Sequence, residues 1–180
     1  MDIEHGPIEG MRIIHPQVFG DDRGFFYESF NAEKLAPYGI PSTFLQDNHS
    51  RSAKGVLRGL HFQLPPKAMA KIVRCVRGRM FDVGVDLRKD SSTFKQHFGI
   101  ELSEANKTMV FWPEGIAHGF YALEDCELLY KSTNTFDKAL DANVAWNDPA
   151  FQIAWPTDSA PVLSARDAAA PMFDAIGFPF

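Results

Sequence analysis

The chain has 180 residues and a net charge of −5 at neutral pH, with 18 Lys and Arg against 23 Asp and Glu. The basic residues are scattered, so no basic stripe suggests a nucleic-acid partner. No apolar run approaches the about 20 residues of a membrane span, and the first residues lack the basic and apolar regions of a signal peptide. We expect one domain, residues 1–180, that buries roughly two thirds of its unfolded surface.

The cysteines Cys75 and Cys126 each lie within an apolar run. Two cysteines at this distance form neither a disulfide framework nor a zinc-binding pattern. Buried free thiols are typical of a reducing compartment. We therefore expect a cytoplasmic protein with two buried, unpaired thiols.

The composition, with 16 Phe and 12 Pro, favours strands and turns over helices. Alternation of apolar and polar residues predicts strands at 8–18, 25–30, 44–50, 59–63, 71–76, 80–87, 93–101, 108–112, 126–132 and 153–156. A further strand is expected to return from a bend at 113–120. Asn31 is expected to cap a short helix at 32–36, and residues 163–167 to begin a weak last helix.

Short strands with turns every roughly 8–12 residues, and few helices, predict an all-β fold. An antiparallel sandwich or barrel is the expected class, and a jelly roll with a few short peripheral helices fits best. The interior of such a barrel can hold a ligand, which would explain polar residues that point inward.

The segment from Gly55 to Lys71 places charged groups in a stretch that otherwise suits the inside of a β-protein. His61 and Gln63 share one face of a strand because side chains alternate. If the chain turns at residues 77–78, Lys71 is expected to lie opposite or diagonal to Asp82 on the next strand. Ionisable groups on an inner face are costly unless paired, so they indicate a site.

A metal site is the first function to consider. His61 and His118, with Pro113-x-Gly115-x-x-His118, resemble the second signature of the cupin jelly rolls, in which this His closes a metal site. The first cupin signature supplies His-x-His and then Glu, but here the residues are His61-x-Gln63 and Lys71. A charged Lys cannot ligate a metal, and Gln is a poor ligand. We expect a cupin pocket without a metal.

Proton transfer beside a carbonyl group is the second function to consider. His is the base whose pKa suits neutral pH, an Asp can fix its tautomer, a Lys ammonium can stabilise an enolate, and a Tyr can return the proton. Spacing alone does not select one of the four tyrosines or one of the many acidic residues.

Motifs along nearly the whole chain resemble the dTDP-4-dehydrorhamnose 3,5-epimerase family, in the family's order. The matching segments are Gly55-Val56-Leu57-Arg58-Gly59-Leu60-His61-Phe62-Gln63, Asp22-Arg23-Gly24-x-Phe26-x-Glu28, Gln46-x-Asn48-x-Ser50, Val83-x-Val85-Asp86-Leu87-Arg88, Gly115-x-Ala117-His118-Gly119-Phe120, Tyr130-Lys131, Trp146-Asn147-Asp148-Pro149 and Leu163-Ser164-x-Arg166-Asp167.

The resemblance implies a cupin-type enzyme, free of metal and cofactor, that inverts C3 and C5 of a dTDP-linked 4-keto-6-deoxyhexose. It implies that His61 is the base and that Asp167 is its partner. It also implies that Tyr130 is the acid on the other face of the sugar, and that Lys71 stabilises the enolate.

The resemblance further implies a homodimer in which the N-terminal strand of one subunit reaches the partner's site. Arg23 and Arg58 match residues that bind the diphosphate, and Phe26 matches an aromatic residue near the nucleotide. The other matching pocket positions are Glu28, Gln46, Asn48 and His118.

The chain departs from the family pattern at several pocket positions. Phe136 replaces a Tyr associated with stacking on the base, which Phe can still do. Arg166 replaces a Lys, which keeps the charge but changes the geometry. Met69 stands where Gln is common, and Ala139-Leu140-Asp141 where Pro-x-x-Glu is common. These changes bear on nucleotide preference more than on the reaction.

Three alternatives remain open at this point. One is a related enzyme that inverts C3 only, because two inversions require that both carbons reach one base. A cupin fold could instead carry a metal-dependent oxygenase or isomerase, or a non-catalytic module that binds a sugar nucleotide.

Overall fold

The computed structural model describes residues 1–157, 159–177 and 179–180. Two antiparallel sheets and a small ribbon form the molecule. The described strands are β1 Asp2–His5, β2 Arg12–His15, β3 Phe19–Asp21, β4 Gly24–Phe26, β5 Gln46–Ser52, β6 Leu57–Gln63, β7 Lys71–Arg77, β8 Arg79–Asp86, β9 His97–Ser103, β10 Met109–Trp112, β11 Ile116–Ala122, β12 Cys126–Ser132 and β13 Asp141–Asn143.

The larger sheet has the strand order β1-β2-β10-β7-β12-β5, and the smaller sheet the order β13-β6-β11-β8-β9. Strands β3 and β4 pair only with each other. From β5 onward the chain crosses between the sheets at every connection except β8–β9. The two sheets pack face to face as a jelly roll, and the predicted all-β class is confirmed.

Three apolar clusters hold these layers together. The cluster between the sheets includes Val73 and Trp112 of the larger sheet and Met80 and Phe120 of the smaller one. A second cluster covers the outer face of the smaller sheet with residues after β13 such as Phe151 and Phe173. The third lies between the larger sheet and the segment around Leu35. The interior cluster occupies one end of the barrel, which leaves the other end for polar groups.

The helices are short and peripheral, as expected. They are α1 Ala32–Leu35, followed by a 3-10 turn, and then α2 Ala165–Ala168 and α3 Phe173–Ile176. Asn31 accepts a hydrogen bond as the predicted cap of α1. The last predicted helix is α2, and Ser164 rather than Asp167 caps it, whereas α3 was not predicted. None of the helices in the described ranges is long and apolar enough to cross a membrane. Cys75 and Cys126 are buried and free, which confirms that prediction.

Four predictions of local structure were wrong. The strand expected at 8–18 is limited to 12–15, because residues 6–11 form a turn closed by a hydrogen bond from Gly6 N to Met11 O. The strand expected at 25–30 ends at Phe26 and pairs only within the β3–β4 ribbon. The strand expected from residue 93 begins at His97. Residues 153–156 form no strand and instead close a turn from Trp155 N to Ile153 O.

The predicted hairpin across Gly78 was also wrong, and this correction bears on the site. β7 and β8 belong to different sheets, so Lys71 is not a ladder partner of Asp82. β7 pairs with β10 and β12, while β8 pairs with β9 and β11. The chain at Gly78 crosses from one sheet to the other, so Lys71 and Asp82 face each other across the barrel.

Candidate active site

A cavity of about 240 Å³ opens between the two sheets at the polar end of the barrel. The smaller sheet contributes His61 and His118, and the larger sheet contributes Lys71 and Tyr130. Its other lining residues are Ser50, Arg58, Phe62, Gln63, Met69, Gly119, Phe120, Leu128, Phe136, Asp141 and Arg166. Three of the four residues predicted to be catalytic, His61, Lys71 and Tyr130, therefore come from three strands that the fold brings to one place.

Two glycines allow β6 and β11 to approach closely beside the histidines. Gly59 has a φ of +124°, and a Cβ there would lie 2.6 Å from Cα of Gly119. A side chain at either position would force the strands apart. The close approach keeps His61 directly opposite His118 in the strand register.

Asp167 holds the ring of His61. Nε2 of His61 lies 2.5 Å from Oδ1 of Asp167, whose side chain is only 3% exposed. Burial raises the pKa of Asp167, but the hydrogen bonds from His61 and Ser164 and the nearby positive charges outweigh it, so the net pKa is lowered. The carboxylate is therefore ionised at neutral pH and accepts from Nε2–H of His61, so in the neutral ring Nδ1 is the nitrogen that can accept a proton.

Lys71 and Tyr130 lie together on the opposite wall, with Nζ of Lys71 5.9 Å from the centre of the Tyr130 ring. Burial lowers the pKa of Lys71 to about 8, against the opposing attraction of Asp82 and Asp141. Burial, together with the charge of Asp141, raises the pKa of Tyr130, so its hydroxyl stays protonated at neutral pH. The wall thus presents a cation and a proton donor to the cavity.

The activity is expected to fall as the pH rises through about 8, because Lys71 carries its charge only below its pKa. The kcat/KM should lose about tenfold per pH unit above that value. In Lys71→Arg this alkaline limb should disappear below pH ~10, since Arg stays charged. A wild-type profile that stays flat to pH ~10 would contradict a role for the ammonium.

His118 is tied to a buried carboxylate. Its Nε2 donates to Oδ1 of Asp82 at 2.6 Å, and Nε1 of Trp112 donates to Oδ2 at 2.8 Å. Burial lowers the pKa of His118 despite Asp82, so the ring is neutral. Gln63 shares the inward face of β6 with His61. Its amide nitrogen donates to the backbone oxygens of Lys67 and Thr135.

The residues that the structure describes form no group of three or more His, Cys, Asp or Glu placed to hold a metal ion. Nε2 of each cavity histidine already binds a carboxylate.

Several of the expected binding residues border the cavity. Arg58 and Arg166 line it, and Phe136 lies at its mouth with 55% of its surface exposed. Oε1 of Gln46 accepts from the backbone N of Phe136, and Nε2 of Gln46 donates to Asn48. Gln46 and Asn48 therefore support the rim rather than the floor, and Asn48 is opposite Tyr130 in the sheet register.

The other three expected binding residues lie outside the cavity of this chain. Arg23 is paired with Asp21 and its side chain is 89% exposed. Phe26, on the β3–β4 ribbon, is 68% exposed, and Glu28 is paired with Lys34 and accepts from Asn31. A single chain does not bring these residues to His61.

Sequence reasoning missed Asp141 as a site residue. Asp141 lines the cavity, and its Oδ2 accepts from Nη1 of Arg166 at 2.5 Å. Asp141 reaches the cavity because it lies on β13, where it pairs with Gln63 of β6. In the sequence, residues 139–141 differ from the rest only as a departure from the family pattern, and a strand of three residues shows no alternation that predicts an inward face.

A jelly roll with an interior cavity, a His bonded to a buried Asp, and a facing Lys and Tyr defines a cupin-type acid–base isomerase. The family model for dTDP-4-dehydrorhamnose 3,5-epimerase matches residues 5–175, and the chain belongs to this family.

Relatives of both inversion types resemble the chain. The dTDP-4-dehydrorhamnose 3,5-epimerase of Salmonella typhimurium is 50% identical over 169 residues, covering 93% of this chain and 92% of the relative. The dTDP-6-deoxy-D-glucose-3,5-epimerase of Legionella pneumophila, solved with dTDP-4-keto-L-rhamnose, is 42% identical with a TM-score of 0.94, covering 98% and 94% of the chains. The dTDP-4-dehydrorhamnose 3-epimerase of Streptomyces niveus is 42% identical over 162 residues, covering 89% and 78%.

Proposed function

We propose that the protein inverts C3 and C5 of dTDP-4-keto-6-deoxyglucose to give dTDP-4-dehydrorhamnose. The observation that carries the proposal is the pair of His61 and the buried Asp167, in which His61 faces Tyr130 and Lys71 across one cavity. Membership of the epimerase family, and a solved relative that holds dTDP-4-keto-L-rhamnose, support the choice of substrate.

The first step is removal of a proton beside the 4-keto group. Nδ1 of His61 takes the proton from C3 or C5, and the electrons of that C–H bond form a C=C bond while the carbonyl electrons move to oxygen. Asp167 stabilises the resulting imidazolium. The Lys71 ammonium stabilises the enolate oxygen, which acquires its charge in a site where burial strengthens the attraction.

The second step returns a proton from the opposite face. The Tyr130 hydroxyl donates to the enolate carbon, and the C4 carbonyl re-forms. The His61 imidazolium then gives its proton to water and the tyrosinate recovers one from water, which restores both groups for the second carbon. Tyr130 suits this step because its raised pKa keeps it protonated until the enolate forms. His61 and Tyr130 belong to different sheets, so the two proton transfers take place from opposite walls, which inverts the carbon.

We propose that no metal takes part. A metal bound through Nε2 of His118 would have to displace Asp82, and one bound through Nε2 of His61 would displace Asp167. Lys71 and Arg58 in the same cavity are donors rather than ligands, and the cavity carboxylate of Asp141 is paired with Arg166.

We also propose a homodimer in which the β3–β4 ribbon supplies Arg23 and Phe26 to the partner's cavity. The support is that Phe19, Phe25 and Phe26 are each more than half exposed on this ribbon. Co-expressed Arg23→Ala and His61→Ala chains should recover about a quarter of wild-type activity, because half of the dimers would be mixed and each would have one complete site. No recovery would place Arg23 in its own subunit's site.

The two thiols suit a cytoplasmic location. Burial raises the pKa of Cys75 to about 12 and that of Cys126 to about 11, so both stay as unreactive thiols. Cell fractionation that finds the protein outside the cytoplasm would contradict this.

The proposed reaction is tested by identifying the product that the protein makes from dTDP-4-keto-6-deoxyglucose in ordinary water with a chelator present. Proton NMR couplings around the sugar ring should show both C3 and C5 inverted. Inversion of C3 alone would favour the type of reaction named for the Streptomyces niveus relative. Activity that disappears with chelator and returns with a metal would favour the metal-dependent class, and unchanged ligand would favour a binding module.

A further inference from the structure

Ser164 contacts the carboxylate of Asp167 in a way that the role of a helix cap does not require. Its Oγ accepts from the backbone N of Asp167 at 3.0 Å, which is the capping contact. The same hydroxyl donates to Oδ2 of Asp167 at 2.9 Å, while Oδ1 accepts from His61 at 2.5 Å. We propose that Ser164 is a positioning residue that fixes the orientation of Asp167 and, through it, the ring of the base. This inference rests on the proposed role of His61.

The geometry supports a role separate from capping. A cap needs only an acceptor, and Asp or Asn would serve α2 as well as Ser. The second contact needs a donor, and an Asp at 164 would instead bring a carboxylate against that of Asp167. Because the two oxygens of Asp167 are held by different residues, rotation of the carboxylate would break both hydrogen bonds. Ser164 at the start of α2 therefore holds Asp167, and Asp167 in turn holds the ring of His61.

A second cavity of about 310 Å³ lies beside the contacts between Ser164, Asp167 and His61. Ser164, Asp167, Val162 and Leu57 line it. Water in this cavity could replace a missing Ser hydroxyl, though without its fixed direction. The loss of Ser164 should therefore weaken catalysis without abolishing it. The hydrogen bond from Ser164 also lowers the pKa of Asp167, so its removal should raise the pKa of that carboxyl group.

The test compares Ser164→Gly with Ser164→Thr. Gly is an acceptable cap that lacks the hydroxyl, whereas Thr keeps both contacts. Ser164→Gly should lower kcat roughly tenfold with KM unchanged, and the acid limb of its pH profile should move to higher pH. Ser164→Thr should behave like the wild type. An unchanged kcat and acid limb in Ser164→Gly, or an equal loss in Ser164→Thr, would overturn the inference.

NMR titration of the Asp167 carboxyl carbon in the wild type and in Ser164→Gly keeps this test independent of the proposed reaction. The titration midpoint should rise in the variant even if the substrate has been chosen wrongly. A wild type that exchanges no protons, together with a raised midpoint in the variant, would refute the proposed function and leave the positioning role intact. An unchanged midpoint would refute the positioning role.

Discussion

Replacement of His61 by Ala is expected to lower the rate of solvent exchange at C3 by about 10²–10⁴-fold, the usual contribution of a general base. The cavity keeps Lys71, Tyr130 and Arg58 in this variant, so the ligand should still bind. The rate is measured by proton NMR of the sugar nucleotide in deuterium oxide. Binding of dTDP is measured by calorimetry on the same preparation.

His49→Ala is the matched control for this change. His49 is an exposed histidine that pairs with Glu127 on the outer surface, so its loss should leave the rate unaltered. If His61→Ala exchanged C3 at a rate within threefold of the wild type, another group would have to be the base.

Replacement of Tyr130 by Phe is expected to separate exchange from inversion. The ring remains to fill its place beside Leu128 and Lys71, so only the hydroxyl is lost. His61 should still remove the C3 proton and return a solvent deuteron to the same face. Exchange should therefore persist within about tenfold, while formation of the inverted product should fall about 10²–10³-fold.

Tyr121→Phe is the control, since Tyr121 lies on β11 and its neighbour Phe120, not Tyr121 itself, lines the cavity. Both rates come from one time course, in which deuterium at C3 reports exchange and ring couplings report configuration. If exchange and inversion fell by the same factor, Tyr130 would act in binding rather than as the acid.

Local pattern predicted most of the strands. Alternation predicted a strand at 126–132, which are the bounds of β12 in the structure. The capping residue Asn31 predicted where α1 begins. The errors arose where pairing is decided by distant parts of the chain. The turn at Gly78 has the sequence of a hairpin, yet β8 joins the other sheet, because β10 and β12 occupy both edges of β7.

The site residues also divide into those that local sequence pattern predicts and those that it does not. Inward-facing His61 and Lys71 could be inferred from strand alternation, since each is costly there without a function. Tyr130 and Asp167 could not, because one is an ordinary strand aromatic and the other lies in a four-residue helix 106 positions from its partner. Only the family motifs selected them. Asp82 faces Lys71 from the opposite sheet rather than across a hairpin, a relation that no local pattern contains.

The most direct measurement is proton NMR of the wild-type protein with dTDP-4-keto-6-deoxyglucose in deuterium oxide, with a chelator present. If His61 serves both carbons, the signals of the C3 and C5 protons should both disappear as the inverted product forms. Ligand that binds but retains both signals would contradict the proposed acid–base role of this cavity.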